Sequence, residues 1–567
     1  MPFNPTILMQ FRNAVFLRYF SFSLLTVYWL FILPVPWSNN GGYGMDLPLN
    51  LLCWGVMSLF GLMTWLCVSW NKLRYSHTVI VLFASAVLLT LPIIWTPAAG
   101  LPIAAPRLVG IWGGVLFYLT LIQRPFREKE IVSLFYLLAA ASIIETLLSI
   151  AGLFFPQYLP WPLDALAYKY SGSASGIFQQ RNVTSSFLAT GFTVVLFLLA
   201  DKRRTLVDRR LETVRMLLLS GATIFISATL VLLESRIGWL GAITGFLCEI
   251  VLFFSPHYRN RTSLKRQLLV IILPVAGVLL GISLLNHSLI DSLQHEGSNH
   301  QRWLTIDYTL RMISEHPWRG YGLGMFESVY QNFMANLPFD NPSREMMQHP
   351  HNETLFIEAE GGVVALAGGM CLLLVWIMLY RRRKSLWQWA ALLTTLPILI
   401  HTQVEFPLYY SVPHYFAVLL LMSASEGRCQ STRFTVKLLP IVMAMVSVYG
   451  MILAAKLFLA SLALGKFEAG HLDNPENIRQ LSVPWLMQMR YQRDLSLLHL
   501  NNFNQRGDII ELEIYARENK EWIILHMEEN AYNDQINILN FLHKPQEAEL
   551  LKERSHKLMP WEQRFLP

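Results

Sequence analysis

Two histidines flank a proline in the run Gln348-His349-Pro350-His351-Asn352-Glu353, and a carboxylate closes it. A neutral imidazole can take a proton from a hydroxyl, and a carboxylate beside it can orient the ring. Three other short segments place reactive groups at the edges of apolar runs. They are Gln179-Gln180-Arg181-Asn182, Glu234-Ser235-Arg236, and His401 with Glu405-Phe406-Pro407. A further arginine, Arg302, lies in the polar stretch from His287 to about Thr354 that contains the histidine run. Arginine binds a diphosphate through paired, charge-assisted hydrogen bonds, and a lipid-linked donor presents that group at a membrane boundary. Glu353 and Glu405 are the candidates for orienting the imidazole.

Each group also has a plain structural reading. A Ser-Arg pair in a tight turn can cap a helix or snorkel to the interface. His-Pro-His can be the loop before a helix. Two histidines could hold zinc, but Pro350 fixes φ between them and no cysteine assists, so no metal site is expected. Glu145, inside an apolar run, reads as a buried hydrogen-bonded group ahead of a proton-path carboxylate.

The elements that position these groups follow from composition. Of 567 residues, 53% are hydrophobic and only 15% charged, against about a quarter charged in soluble domains. Apolar runs fall at about 13–34, 48–69, 77–96, 101–122, 131–155, 183–200, 213–232, 236–254, 268–286, 356–380, 386–403, 408–425 and 435–463. Each approaches the ~20 residues that a bilayer crossing needs. The expectation is an all-α, polytopic membrane helical bundle of about 13 spans. The first run lacks a small-x-small cleavage site and reads as a span rather than a signal peptide.

The net charge of +7 does not read as a nucleic-acid patch, because the basic residues occupy alternate loops. Examples are Lys72 and Arg74, Lys202 to Arg204, Arg259 to Arg266, and Arg381 to Lys384. By the positive-inside rule the N-terminus is cytoplasmic. Loops 156–182, 233–236, 287–355 and 404–413, with the C-terminus, then face the opposite side. All four polar segments share that face, which favours one composite site. The five cysteines, Cys53, Cys67, Cys248, Cys371 and Cys429, have neither disulfide nor metal spacing.

Two domains are expected. Residues 1–464 form the membrane domain, with the large exported loop 287–355, and residues 465–567 form a small helical soluble domain. Within the loop, Gln301 to Glu315 reads as a helix. Trp303, Ile306, Leu310 and Ile313 fall on one face at 100° per residue, with Arg302 at its edge and Arg311 half a turn away. Gly320, Gly322 and Gly324 break that helix. They are no nucleotide fingerprint, since no strand precedes them and the spacing is wrong.

The order of motifs resembles a known family. Gln180 and Asn182 are followed by Glu-Ser-Arg-x-Gly (Glu234–Gly238), then Arg302. His-Pro-Trp-x-Gly-x-Gly-x-Gly-x-Phe (His316–Phe326) and His-Asn-Glu-x-Leu leading into Glu-x-Glu-Gly-Gly (His351–Gly362) complete it. This resembles the O-antigen ligase and polymerase superfamily of bacterial inner-membrane glycosyltransferases. Gln-His-Pro-His-Asn-Glu, the His-x-x-x-Glu-Phe-Pro-Leu of His401–Leu408, and the C-terminal domain are most similar to protein O-oligosaccharyltransferases that glycosylate type IV pilins. The resemblance is carried by residues 175–410. It implies transfer of a glycan from undecaprenyl diphosphate to a Ser or Thr hydroxyl of an exported, pilin-like protein, in the periplasm and without cofactor or metal.

Carried over, the resemblance implies His351 as catalytic histidine, and Arg236, Arg302 and Arg181 as diphosphate ligands. His349, Asn352, Glu353, Gln180, Asn182, Ser235, His401 and Glu405 would support them. The chain departs from the pattern at Arg181, where proline or a polar residue is expected. O-antigen ligase and O-antigen polymerase, which differ in acceptor, are the alternatives within the superfamily. A lipid or glycan transporter is the alternative of another class. It would spread ionisable residues near the bilayer midplane, whereas here they gather on one face.

Overall fold

The computed structural model describes residues 5–37, 42–68, 73–161, 163–165, 174–202, 205–253, 262–285, 296–427, 429–431, 438–470 and 478–566. The start of the predicted exported loop, 287–295, lies outside the described residues, as do the basic residues Lys72, Arg203, Arg204, Arg259 and Arg261. The fold is an all-α, polytopic membrane bundle. Among the described residues its sheet is one antiparallel pair, Arg74–Tyr75 with Gln430–Ser431.

Among the described residues, ten helices are long and apolar enough to cross a membrane. The other three predicted spans correspond to shorter or divided helices. Arg236–Phe253 has 18 residues. The predicted run 386–403 is two helices, Leu386–Leu393 and Leu396–His401, the second opening on Pro397. The run 408–425 is divided at Ser411, whose extended backbone separates Pro407–Tyr410 from Val412–Ser425. In both places a proline at the first turn of the second helix starts it afresh, because proline lacks the N–H that would continue the first.

The helices form two compact units. One comprises Met1–Leu82, Gly113–Gln294 and Leu373–Ala455, and the other Phe83–Trp112, His295–Leu372 and Lys456–Pro567. At the centre of the first lies Arg181–Ala200, every residue of which is buried from Val183 onward. Its sequence is apolar or small on all sides, as an enclosed helix requires. Arg236–Phe253 packs on it through glycines spaced three and four apart. A Cβ on Gly238 would strike Ser185, one on Gly241 would meet Ala189 and Pro397, and one on Gly245 would strike Thr193. Such small-residue contacts let two backbones approach closely in lipid. They also fix the register of Ser235 and Arg236 against Asn182.

In the second unit, the helix Glu353–Arg382 is not continuous. Gly362 has φ 62° and ψ −161°, which splits it after about two and a half turns. The carbonyls freed at the break are taken by the glycine-rich loop. The Tyr321 N–H donates to the Ala359 carbonyl (2.9 Å), the Gly322 N–H to Glu360 (2.8 Å), and the Val363 N–H to Pro317 (2.9 Å). Gly320, Gly322 and Gly324 all have positive φ, the conformation that glycine alone adopts without penalty.

The C-terminal helices are Gln488–Arg506, Ile509–Leu525, Glu529–Phe541 and Pro545–Leu558. Gly507, at φ 71°, ends the first, and the Asp508 carboxylate caps the second by accepting the Ile510 N–H. These helices close on residues 327–341 inside the same unit. Ser328 donates to the Ile524 carbonyl (2.9 Å), and Glu327 accepts the Met527 N–H (3.0 Å). Asn341 donates to the Lys557 and Leu558 carbonyls.

Candidate functional site

In the first unit, three of the four polar segments come together at the start of the central helix. Gln180 is its N-cap, with the side chain accepting the Val183 N–H at 2.6 Å. The turn before it is held from below by Glu145. Gly176 and Gln179 have positive φ, and Glu145 Oε1 accepts the Ile177 N–H at 3.0 Å. Glu145 is therefore the buried, hydrogen-bonded group of the plain reading.

Glu405 is the hub of this cluster. It accepts from Asn182 Nδ2 (2.5 Å) and Gln180 Nε2 (3.2 Å), and it faces His401 Nε2 at 3.0 Å. His401 is fully buried and meets Ser186 Oγ through its other nitrogen (2.9 Å). Within this unit the structure engages Glu405 with His401, Gln180 and Asn182. His414, which sequence reasoning missed, is also fully buried, with Nε2 3.0 Å from the Val183 carbonyl. Glu405→Ala is expected to lower the melting temperature in detergent by several degrees. It strips a partner from buried His401, which costs about 1–3 kcal/mol when unsatisfied, and from half-buried Gln180 and Asn182. An unchanged melting temperature would mean that the hub is dispensable.

The Glu-Ser-Arg turn docks beside this cluster. Ser235 Oγ donates to Asn182 Oδ1 (2.7 Å) and accepts the Gly238 N–H (3.3 Å), so it caps the helix that Arg236 begins. Glu234 has φ 52° and pairs with Arg181 at 3.3 Å. Two helix N-termini are thus tied side by side, each opening with an arginine. The positive dipole ends of the two helices favour an anion. Arg181 already has Glu234 as counter-charge.

The histidine segment belongs to the second unit. His351 has φ 55°, unusual for a non-glycine residue and characteristic of functional turns. Its backbone N–H donates to His349 Nδ1 at 2.9 Å, and His349 Nε2 lies 3.3 Å from Glu353 Oε2. With Nδ1 accepting, the neutral His349 ring carries its proton on Nε2 and donates it to Glu353. Both nitrogens of His349 are thereby committed to protein partners. Asn352 caps the following helix by accepting the Leu355 N–H (2.9 Å). The segment is a loop before a helix, and it also holds the strained histidine in place.

Arg302 is half-buried on the helix Glu296–Glu315. The predicted face of this helix needs correction. Trp303 and Leu310 are exposed, and the buried stripe is Gln301, Thr305, Tyr308, Thr309 and Met312, with Ile313 of the predicted face buried beside it. Weighting only large apolar residues missed it, since the interior here accepts threonine and glutamine. Arg311 is exposed, pairs with Asp307 at 2.8 Å, and lies over the Tyr308 ring.

Sequence reasoning also missed Arg107. It forms an ion pair with the buried Glu360, whose other oxygen accepts the Gly324 N–H at 2.9 Å. The available signal was an arginine inside an apolar run, which membrane spans rarely carry without use.

Residues 221–370 match the family described as O-antigen ligase. Residues 389–564 match the one described as virulence factor membrane-bound polymerase, C-terminal. Together they support placing the chain in the O-antigen ligase superfamily. The first stretch contains Arg236, Arg302 and His351, and the second contains His401 and Glu405; Gln180–Asn182 lies outside both. No curated protein matches the chain.

Proposed function

We propose that this chain is a protein O-oligosaccharyltransferase of the inner membrane, moving an oligosaccharide from undecaprenyl diphosphate to a Ser or Thr of an exported, pilin-like protein. The two family matches indicate a ligase- or polymerase-like membrane enzyme that transfers glycan. The observation that carries the reading is the pair of helix N-termini opening with Arg181 and Arg236 and joined through Asn182 and Ser235. That arrangement suits a diphosphate leaving group.

In this reading, the acceptor oxygen attacks the anomeric carbon as the bond from that carbon to the phosphate oxygen breaks. Undecaprenyl diphosphate departs with its charge balanced by Arg236 and Arg302, with Arg181 assisting. His351 takes the hydroxyl proton. His349 and Glu353 hold the turn that carries His351, and Gln180, Asn182, Ser235, His401 and Glu405 hold the arginine turns. O-antigen ligation or polymerisation would use the same donor chemistry with a saccharide acceptor, and the family descriptions keep that second reading in play.

Intact mass of exported proteins, with and without this chain, separates the readings. A protein heavier by one oligosaccharide is the expected result. Glycan moved to a lipid-linked core, or a lost ladder of polymer lengths, would instead identify a ligase or a polymerase. A transporter would form no product from donor and acceptor mixed in detergent.

Orientation is tested separately. The alternation of basic loops puts the loop and the C-terminus in the periplasm. A periplasm-active reporter is expected to be active after Pro567 or at Asn299, and inactive near Arg383. An inactive fusion at Asn299 would put His351 on the wrong side for an exported acceptor.

A further inference from the structure

Arg107 stands on the helix Leu101–Ile122, within an apolar run and away from every segment assigned a role above. Its guanidinium meets Glu360, which holds the glycine-rich loop, and Phe356, which lies beside the histidine turn. One Nη pairs with Glu360 Oε2. The Cζ lies 4.6 Å from the centroid of the Phe356 ring. Glu360 in turn uses Oε1 to accept the N–H groups of Gly324 (2.9 Å) and Phe326 (3.4 Å), and its carbonyl takes the Gly322 N–H. The far side of the relay is equally close. The Phe356 ring is 4.4 Å from the His349 ring, and His349 Nδ1 accepts the backbone N–H of His351. Phe356 is itself buried, its N–H donating to the Asn352 carbonyl at 3.0 Å.

From this chain of contacts we infer that Arg107 is a positioning residue for His351, acting through the Phe356 and His349 rings on one side and Glu360 on the other. A flat, delocalised cation is the side chain that can stack on a ring and pair with a carboxylate at once. A buried arginine–carboxylate pair is costly to assemble, and breaking it leaves a charge without compensation. The stretch after Glu353 gains a fixed point from it. The helix there lasts only about two and a half turns before Gly362 breaks it. Without Arg107, the Phe356 ring has no cation to rest on and Glu360 no counter-charge. The His349 ring then loses the surface that sets its angle, and the His351 backbone loses its acceptor.

The inference rests on the proposed role of His351, so its test uses a readout that does not depend on transfer. Diethyl pyrocarbonate modifies accessible imidazoles, and peptide mass spectrometry reads the rate at each histidine. In the full-length protein in detergent, Arg107→Ala is expected to raise modification of the peptide bearing His349 and His351 severalfold. The exposed His300, His316 and His543 should keep their rates. Phe356→Leu, which leaves the ion pair whole, should raise the same peptide's rate. Arg107→Lys should lie between, since it keeps the charge and loses the flat stack. With donor and acceptor, Arg107→Ala is expected to lower kcat about 10–100-fold, as small misplacements of reacting groups do, with KM for the donor nearly unchanged.

Wild-type reactivity at His349 and His351 in both variants would overturn the inference. So would a rise that extends to the buried His401 and His414, which would make the pair a prop for the whole fold. A shifted histidine pattern in a protein whose wild type transfers no glycan would retain the coupling and reject the proposed reaction.

Discussion

His351→Ala is expected to abolish measurable transfer while leaving the lipid-linked donor bound. General-base assistance is worth about 10²–10⁴ in rate, so residual activity within that range below wild type fits. The substitution changes two things at once, because His351 also holds a backbone at φ 55°. Asparagine tolerates that conformation and has no imidazole. His351→Asn should therefore be as inactive as His351→Ala, with a melting temperature closer to wild type. His349→Ala should be milder in rate. Its ring is committed to Glu353 and to the His351 N–H, so it acts by holding the turn. Chelation should leave the wild-type rate unchanged. Activity lost on chelation and restored by a divalent ion would recast His351 as a ligand. Wild-type activity in His351→Asn would remove it from the chemistry altogether.

Much of the architecture was legible because lipid imposes a simple rule: a span must be long, apolar and internally hydrogen-bonded. What the rule hides is where a helix breaks and who satisfies the break. Gly362 reads as one small residue in a long apolar run, yet its backbone splits the helix. The groups that take the freed carbonyls come from Tyr321 and Gly322, some forty residues earlier. The divisions at Ser411 and before Leu396 were hidden in the same way.

At the site, residue types were legible and partners were not. Gln180, Asn182, Ser235, His401 and Glu405 stand in three places along the chain, and the structure joins them through Glu405 and Asn182. Spacing alone does not pair Glu405 with His401, which the structure sets 3.0 Å apart. Arg107 escaped notice because basic residues were weighed in loops, where they report orientation. Inside a span an arginine reports a partner, and that partner, Glu360, is more than 250 residues away. The helix Glu296–Glu315 shows a third limit. Its exposed Trp303 and buried Thr305 reverse the order that hydrophobicity alone assigns.

The arginines are not equivalent, and their differences predict a graded series. Arg236 opens a helix capped by Ser235, so its position is fixed before any ligand arrives. Arg236→Lys keeps the charge but loses the planar fork that grips two phosphate oxygens together. Losing one charge-assisted hydrogen bond of about 1.5–3 kcal/mol lowers kcat/KM roughly 10–100-fold, with near-normal protein level. Arg302→Ala removes a whole half-buried cation and should be at least as severe. Arg181→Ala should cost less. Its side chain is 41% exposed and its charge is already met by Glu234, so it has less to give a diphosphate. Arg311→Ala should be nearly silent, because that side chain is 57% exposed and tied to Asp307 on its own helix. Exposed pairs of this kind contribute about 0–1 kcal/mol. The order Arg302, Arg236, Arg181, Arg311 in kcat/KM is the expected result. An essential Arg311 beside a dispensable Arg302 would reverse the assignment of that helix. An active Arg236→Lys enzyme would mean that a point charge suffices and that the paired grip on the diphosphate is not what the turn provides.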